Sequence, residues 1–551
     1  MRQVPVLVVG GGPVGMTLAL ELAGRGVACT LAERNPTTTR HPKMDITNAR
    51  SMELFRRLGL VPALRAAAVP EAHPFDVSWV TSMVGHELHR FRYASVDAAW
   101  DRIRARNDGS QPGEAPMRVS QVEIEPVLKR AVDASPLVDV RFGVAFEELS
   151  QDSEGVTATL RSADGTVETL RCAYLVGCDG GTSRVRACLD IALSGEARIM
   201  QRFMTHFHSD ARDVLQRWGV AWHYQSPRGT LIAQNDRDVW TLHSRLPDGT
   251  DLAAVDPSAL LRGFLGRDIP HRVVVANPWT PHLLVADSYG TGRVLLAGDA
   301  AHQYIPTGGY GMNTGIGDAC DLGWKLAAVL QGFGGPTLLD AYEAERRPVG
   351  LRNREGSRSH NGTRGAIAAL YGPALEAEGP EGDAARAEAG ARIAAIGNAE
   401  NESFGIEFGY AYPDSFIVCT DPAERPPDDP RRYEPSTVPG VRLPSVLLQD
   451  GTPIFDRLGP WFTLVTTGSQ DVQALTAAAS RHGMPLQVLR LEEPHLADLY
   501  GEQALLVRPD QHIAWRGPEP DAERAESIVL RVLGHQAGAA GARALMAAAS
   551  K

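Results

Sequence analysis

The sequence predicts an α/β fold: a parallel-sheet domain interrupted by an inserted antiparallel sheet, then a smaller α/β domain at the C-terminal end. Three observations predict it. A short apolar run, Val4 to Val9, closes on Gly10-Gly11-Gly12 and gives way to helical apolar spacing. Between residues 195 and 290 the pattern changes to short alternating segments. A proline-rich stretch, 421–444, is followed by fresh apolar runs. The chain of 551 residues has room for two or three domains with proper cores. Its 43% hydrophobic and 22% charged residues are a globular balance, which excludes a collagen-like or wholly disordered chain.

Taken in order, Val4–Val9 reads as a buried parallel strand. From Val14 the apolar positions Leu18, Ala19 and Leu22 follow a helix that should end at Gly24 and Gly26. Ala28 to Ala32 is a second strand, ending at Glu33, and completes a βαβ unit. Leu170 to Cys178 and Arg293 to Ala297 are further apolar runs that end in acidic turns. Val220 to Gln225, Thr230 to Gln234 and Val239 to Ser244 alternate as antiparallel strands do. Residues 316–400 are helical in character, and Trp461–Thr466, Leu486–Leu491 and Ala504–Val507 mark a last small sheet. The expected limits are 1–194 with 291–400 for the parallel-sheet domain and 195–290 for the insertion. A linker over 401–444 and an end domain over 445–551 complete the chain.

Lysine and arginine total 55 against 66 acids, a net charge of −11. No basic stripe is present for nucleic acid or an anionic membrane, so neither is an expected partner. The six cysteines form no Cys-x-x-Cys pair, which argues against a disulfide scaffold or a metal site and for a reducing, cytoplasmic setting. The first apolar run is too short for a signal core or a membrane span, and no later run is long enough to cross a bilayer.

Gly10-x-Gly12-x-x-Gly15 follows a strand and opens a helix, the context that a Rossmann-like dinucleotide loop requires. Gly10 permits the bend, Gly12 lets backbone approach a pyrophosphate, and Gly15 lets helix and strand pack closely. The phosphates then meet free N–H groups at the positive end of the helix. Glu33 can accept both hydroxyls of an adenosine ribose and would repel a 2′-phosphate. The loop alone does not separate FAD from NAD.

Two more segments narrow the choice: Tyr174-Leu-Val-Gly-Cys-Asp179-Gly180-Gly-Thr-Ser-Arg184-Val-Arg186, and Arg293-Val-Leu-Leu-Ala-Gly-Asp299-Ala-Ala-His302, which runs on to Gly308-Gly309-Tyr310-Gly311-Met312-Asn313. With the first loop, in this order, they resemble the three fingerprints of the FAD-dependent aromatic hydroxylases, the single-component flavin monooxygenases typified by para-hydroxybenzoate and phenol hydroxylases. The resemblance spans about residues 4–350. It implies that Asp299 accepts a ribityl hydroxyl, that Met312 and Asn313 lie near the flavin N1–C2 edge, and that Asp179 helps bind FAD and the pyridine nucleotide. Gln121, in Arg118-Val-Ser-Gln121, matches a glutamine of the ribityl–pyrophosphate region; Arg34, Arg118 and Gly311 join the cofactor set. The residues themselves leave blander roles open: Asp179 and Asp299 as helix caps, Gln121 as a polar residue at a helix start.

The resemblance implies NAD(P)H reduction of FAD, addition of O₂ to give a C4a-hydroperoxide, and oxygen transfer to a small phenolic or polyketide-like aromatic. No second strand–GxGxxG–helix unit appears, so NADPH or NADH is expected to bind transiently. The Pro306 carbonyl is implied beside the reacting ring. Asp45, in His41-Pro-Lys-Met-Asp45-Ile-Thr-Asn48, sits where phenol-hydroxylase relatives present an acid to the substrate hydroxyl and could take its proton. His223 and Tyr224 are substrate-side candidates, although adjacent strand residues point to opposite faces and only one can reach the ring. His302 reads better as a packed residue. The end domain resembles the thioredoxin-like extension of the phenol-hydroxylase branch and has no cysteine after Cys419, which leaves a structural role or support of a homodimer. The alternatives are a flavin-dependent halogenase, whose tryptophan-x-tryptophan-x-isoleucine-proline segment is missing here, an NAD-dependent dehydrogenase, and a non-catalytic flavin-binding protein.

Overall fold

The Arg2–Val9 strand lies at the centre of a sheet whose main path runs Gly290–Thr291, Val294–Leu296, Val167–Gly177, Arg2–Val9, Cys29–Glu33 and Val138–Phe142. Its pairings with Val167–Gly177 and Cys29–Glu33 are parallel, with Val8 opposite both Val176 and Leu31. Val6, Leu7 and Val8 are fully buried, as a parallel strand covered on both faces must be. Truncating Leu7 there would cost about 2–5 kcal/mol. The computed structural model describes residues 2–468 and 470–535, so residues 536–551 of the expected end domain lie outside the described residues.

The helix Pro13–Ala23 begins at Gly12 with proline in its first turn, where the missing N–H costs nothing. It packs beside Tyr310–Leu330. A Cβ on Gly315 would stand 2.5 Å from Val14 Cγ2, and one on Gly323 would stand 2.7 Å from Glu21 Cβ. Contacts that advance together along both helices make them parallel, with their N-termini at the same end.

The seven-stranded second sheet runs Arg272–Trp279, Gln201–His208, Val239–Leu246, Gly229–Ala233, His223–Ser226, Val77–Val80 and Glu87–Phe91. The expected limits 195–290 enclose five of these strands. Val77–Val80 and Glu87–Phe91 come from upstream, and the first of them pairs parallel with His223–Ser226. Alternation within one segment reveals a strand but not a partner distant in sequence. One face of this sheet buries Phe207, Tyr224, Leu231, Trp240 and Leu242, and the other turns toward the parallel-sheet domain.

The stretch 401–444 is packed rather than free, with Ile406, Phe408, Tyr412 and Ile417 buried. Its prolines end regular structure without preventing burial. The end domain is a four-stranded sheet in the order Leu486–Leu491, Phe462–Thr467, Ala504–Val507, Ile513–Gly517. Its first pair is parallel and the next two are antiparallel, with helices Gln473–Arg481, Pro494–Tyr500 and Ala522–Val532 completing a thioredoxin-like fold. Among the described residues no helix is long and apolar enough to cross a membrane.

Candidate functional site

The three polar turns converge. Gly10 has φ +112°, and a Cβ there would lie 2.3 Å from the Cys178 carbonyl oxygen and 2.9 Å from Asp179 Cα, so the first turn rests on the second. A Cβ on Gly298 would lie 2.9 Å from Val14 Cγ2, so the third turn rests on the first. Arg186 ties the second and third turns by donating to the carbonyls of Ala300 and Gly181, each at 2.9 Å. Gly15 is as constrained as the motif requires, its Cβ falling 1.9 Å from the Gly10 carbonyl oxygen. A Cβ on Gly12 would meet nothing within 4 Å, which leaves open space where a pyrophosphate would lie. A constraint that the motif reading passed over falls on Gly11. Its N–H donates to Glu33 Oε2 at 2.7 Å, and a Cβ there would strike Glu33 Cβ at 2.7 Å. Glu33 Oε1 accepts from the Asn35 backbone N–H at 2.8 Å, and Arg34 is exposed at the same strand end.

Both helices at this junction begin on glycine, Gly12 and Gly309, and neither has a side-chain cap. Their first N–H groups are left for a ligand, and two parallel dipoles add their positive ends. Since Val14 lies beside Gly315, the second helix starts about four residues further out, roughly 6 Å at 1.5 Å per residue. Asn313 fixes that outer end: its Oδ1 accepts from Asn48 N–H at 3.1 Å, and its Nδ2 donates to the carbonyls of Gly309 at 2.6 Å and Ile46 at 3.2 Å. Met312 is half-buried beside it.

The two acidic turns differ. Asp179 caps its own helix, accepting from the Ser183 hydroxyl at 2.5 Å and from the N–H groups of Arg184 at 2.7 Å and Val185 at 3.1 Å. Its carboxylate is occupied locally, as the blander reading allowed. Asp299, on the short turn Gly298–Ala300, is exposed at the foot of the cleft and has no hydrogen-bond partner among the described residues. Its Oδ1 lies 3.8 Å from where a Gly311 Cβ would stand. The surrounding protein raises its pKa, against the nearby His302 and Lys43. An open acceptor at the junction of three turns fits a cofactor hydroxyl. Behind it, Asp318 braces the turn: it accepts from Gly298 N–H at 3.1 Å, from Arg346 Nε at 2.9 Å, and meets His302 Nε2 at 2.8 Å. His302 is fully buried and stacked on Tyr304, a packed residue as expected.

Beyond the outer helix end lies a cavity of about 300 Å³, within the range of small-molecule sites. Asp45 lines it. Asp45 Oδ2 accepts from Trp222 Nε1 at 2.5 Å and meets His223 Nε2 at 2.9 Å, while Oδ1 has no hydrogen-bond partner among the described residues. Burial pushes the Asp45 pKa up, but the hydrogen bonds from His223 and Trp222 and the His223 charge outweigh it and hold it below the ordinary carboxylate value. His223 is buried, and its Nδ1 finds no partner among the described residues. Tyr224 points to the other face, as period two demands, and is corrected from the substrate set: it is 1% exposed in the sheet core and donates to the Gly219 carbonyl at 2.6 Å. Pro306 lines the cavity, but its carbonyl accepts from Gly309 N–H at 2.9 Å and so closes the turn that starts the outer helix.

Arg118 is directed away from the glycine loop, donating to the carbonyls of Pro74 at 3.1 Å and Ala233 at 3.2 Å. Burial lowers its pKa to about 10. Gln121 starts a helix, donates to Glu125 Oε1 at 2.7 Å, and takes the Met44 carbonyl with its backbone N–H, so it orders the segment that carries Asp45. Sequence reasoning missed Trp222, His243 and the Arg364–Glu400 pair. Alternation over Val239–Leu246 would have placed His243 on a face with Arg245, but nothing local marks Trp222.

Residues 3–357 match the family model described as FAD binding domain, and 436–536 match that described as aromatic-ring hydroxylase, C-terminal. The chain is 37% identical to the FAD-dependent monooxygenase apdD of Emericella nidulans over 97% of its own length and 90% of that protein's. It superposes on the rebeccamycin biosynthetic enzyme RebC with reduced flavin at a TM-score of 0.88 with 34% identity, covering 97% of this chain and 99% of that one. It also superposes on aklavinone-11 hydroxylase in ternary complex with FAD and aklavinone at 0.81 with 29% identity, covering 97% and 99%. Open backbone at Gly12, two uncapped helix ends and a free Asp299 acceptor agree with those matches. The chain therefore belongs to the FAD-dependent aromatic-ring hydroxylases, flavin monooxygenases that take their electrons from NAD(P)H.

Proposed function

We propose that the cavity holds a phenolic or polyketide-like aromatic with its hydroxyl on Asp45 and its ring toward Pro306, in the place where the protein hydroxylates it. The observation that carries this reading is Asp45 itself, an acid in the cavity wall with one oxygen clamped by Trp222 and His223 and the other without a hydrogen-bond partner among the described residues. An ionised carboxylate that is already oriented accepts a phenol O–H without rearrangement, which raises electron density in the ring.

Bound FAD would supply the electron transfer and oxygen activation. The chain's own part is to hold it: Gly10, Gly11 and Gly12 with the first helix end at the pyrophosphate, Glu33 at the adenosine ribose, Asp299 at the ribityl chain, and the outer helix end with Met312 and Asn313 at the flavin edge. The aklavinone complex of the relative above supports a polycyclic phenol as the substrate class. Six unpaired cysteines support a reducing, cytoplasmic location. The test is NAD(P)H oxidation by the FAD-loaded protein over a panel of phenols and naphthols, with mass analysis of products. A phenol-stimulated rate with one added oxygen is expected. Oxidation that no phenol accelerates would reject the reading.

A further inference from the structure

Next to the first cavity lies a second, of about 260 Å³, and the two share Arg202, Thr230 and Arg364 in their walls. Its lining holds no acid. Arg202, half-buried, and Arg245, exposed, line it, and among the described residues neither has a carboxylate partner; Arg202 Nε donates to Met200 Sδ at 3.2 Å. Two further buried donors, Trp79 Nε1 and Gln225 Nε2, also have no hydrogen-bond partner. Their residues line the cavity and are 3% and 2% exposed. Arg364, by contrast, is already paired in both arms with Glu400, at 2.6 and 2.5 Å.

The sheet register sharpens the point. Arg202 and Arg245 are direct antiparallel partners across neighbouring strands. Side chains so placed share a face with Cβ atoms about 4.5–5.5 Å apart, where like charges repel. Two neighbouring guanidiniums without a carboxylate partner, two buried orphaned donors beside them and no acid in the wall form a site that favours an anionic acceptor.

We propose that this second cavity is an anion-binding subsite that receives a carboxylate carried by the aromatic substrate. The inference rests on the first cavity being the substrate site. A molecule lying there reaches Arg202 and Thr230 without leaving the protein, since both residues belong to the two walls. The same donors would also take a phosphate, which the nicotinamide co-substrate could bring, and the experiment separates the two sources.

The FAD-loaded protein and its Arg202→Gln and Arg245→Gln variants are titrated with two probes, a naphthol bearing a carboxylate on its far ring and the corresponding neutral carboxamide. Flavin absorbance and tryptophan fluorescence report binding. The native protein should prefer the acid by about tenfold or more, and each variant should bring the two probes to within about twofold. Arg245→Gln should keep or raise the Tm of the ligand-free protein, because it relieves a like-charge pair. Equal binding of both probes to the native protein, or an acid preference that survives both variants, would overturn the proposal. A loss of NADPH affinity in the variants with the acid preference unchanged would assign the site to the dinucleotide phosphate and overturn it as well. Failure of both probes to bind would instead remove the reading of the first cavity, an outcome distinct from equal binding.

Discussion

Where the end domain meets the helices Tyr310–Leu330 and Asp340–Ala368, buried charges are matched one against another, whereas around the two cavities buried polar groups are left open. At the domain seam Arg508 donates to Glu345 at 2.6 and 2.8 Å, to Asp321 at 3.0 Å and to Asp510 at 2.6 Å, and Lys325 joins both Asp321 and Glu345. Close by, Glu53 receives Arg50 and Arg442, and Arg50 reaches the Asp510 carbonyl at 2.8 Å. On the cavity side, His223 Nδ1, Trp79 Nε1 and Gln225 Nε2 are buried without such partners among the described residues, and the half-buried Asp45 and exposed Asp299 each offer an open carboxylate oxygen. Burial of unpaired polar groups is costly, so a fold keeps them open only where a ligand completes them. The seam is built for rigidity, and the cavities are built for something that arrives later.

The contrast can be broken most strongly at the seam. Arg508→Leu leaves Glu345, Asp321 and Asp510 buried with too few cations, and should lower stability by about 3–5 kcal/mol in urea unfolding. A loss near zero would show that the seam charges are not paired as described. On the cavity side Asp45→Asn should keep FAD bound and fold normally while phenol-stimulated turnover falls about a hundredfold; native turnover would return Asp45 to an ordinary loop residue. Asp299→Ala should weaken FAD binding by about 1–3 kcal/mol with little change in unfolding, read by titrating the apoprotein with FAD. Unchanged affinity would mean that the open acceptor has no partner after all.

The smallest effect is a pH slope shared by the two regions. Burial holds His512 at the seam and His243 in the cavity to a pKa of about 4, against 6.5 for a free imidazole. Each has a folded-state pKa below its unfolded value, so the stability each contributes is present above about pH 6.5 and is lost as pH falls toward 4. His243→Gln should flatten part of that slope in a pH series of thermal melts. An identical slope would exclude a buried neutral His243.

The legible parts of this protein were those that leave local marks. Gly10 and Gly15 stand where Cβ atoms would strike backbone, and a strand that ends in such glycines is readable without a structure. The Asp179 cap was readable too, since Ser183, Arg184 and Val185 all follow within six residues. Asp45 was visible as a candidate, but its clamp was not: Trp222 and His223 lie 177 and 178 residues away, and only the fold joins them. The Arg202–Arg245 pair depends on strand register, which turns and distant partners decide. Tyr224 shows how far pattern alone goes. Alternation required that one of His223 and Tyr224 face the cavity, and packing against Trp240 and Leu242 decided which. The stretch 401–444 misled in the opposite way, because its prolines masked Phe408, Tyr410 and Tyr412, which are buried.

The most direct measurement is a crystal structure of the FAD-loaded protein with a naphthol bound. The flavin should lie across the Gly12, Asp299 and Gly309 turns, and the naphthol oxygen should sit about 3 Å from Asp45 Oδ1. A flavin outside those turns, or a naphthol whose hydroxyl points away from Asp45, would contradict the account.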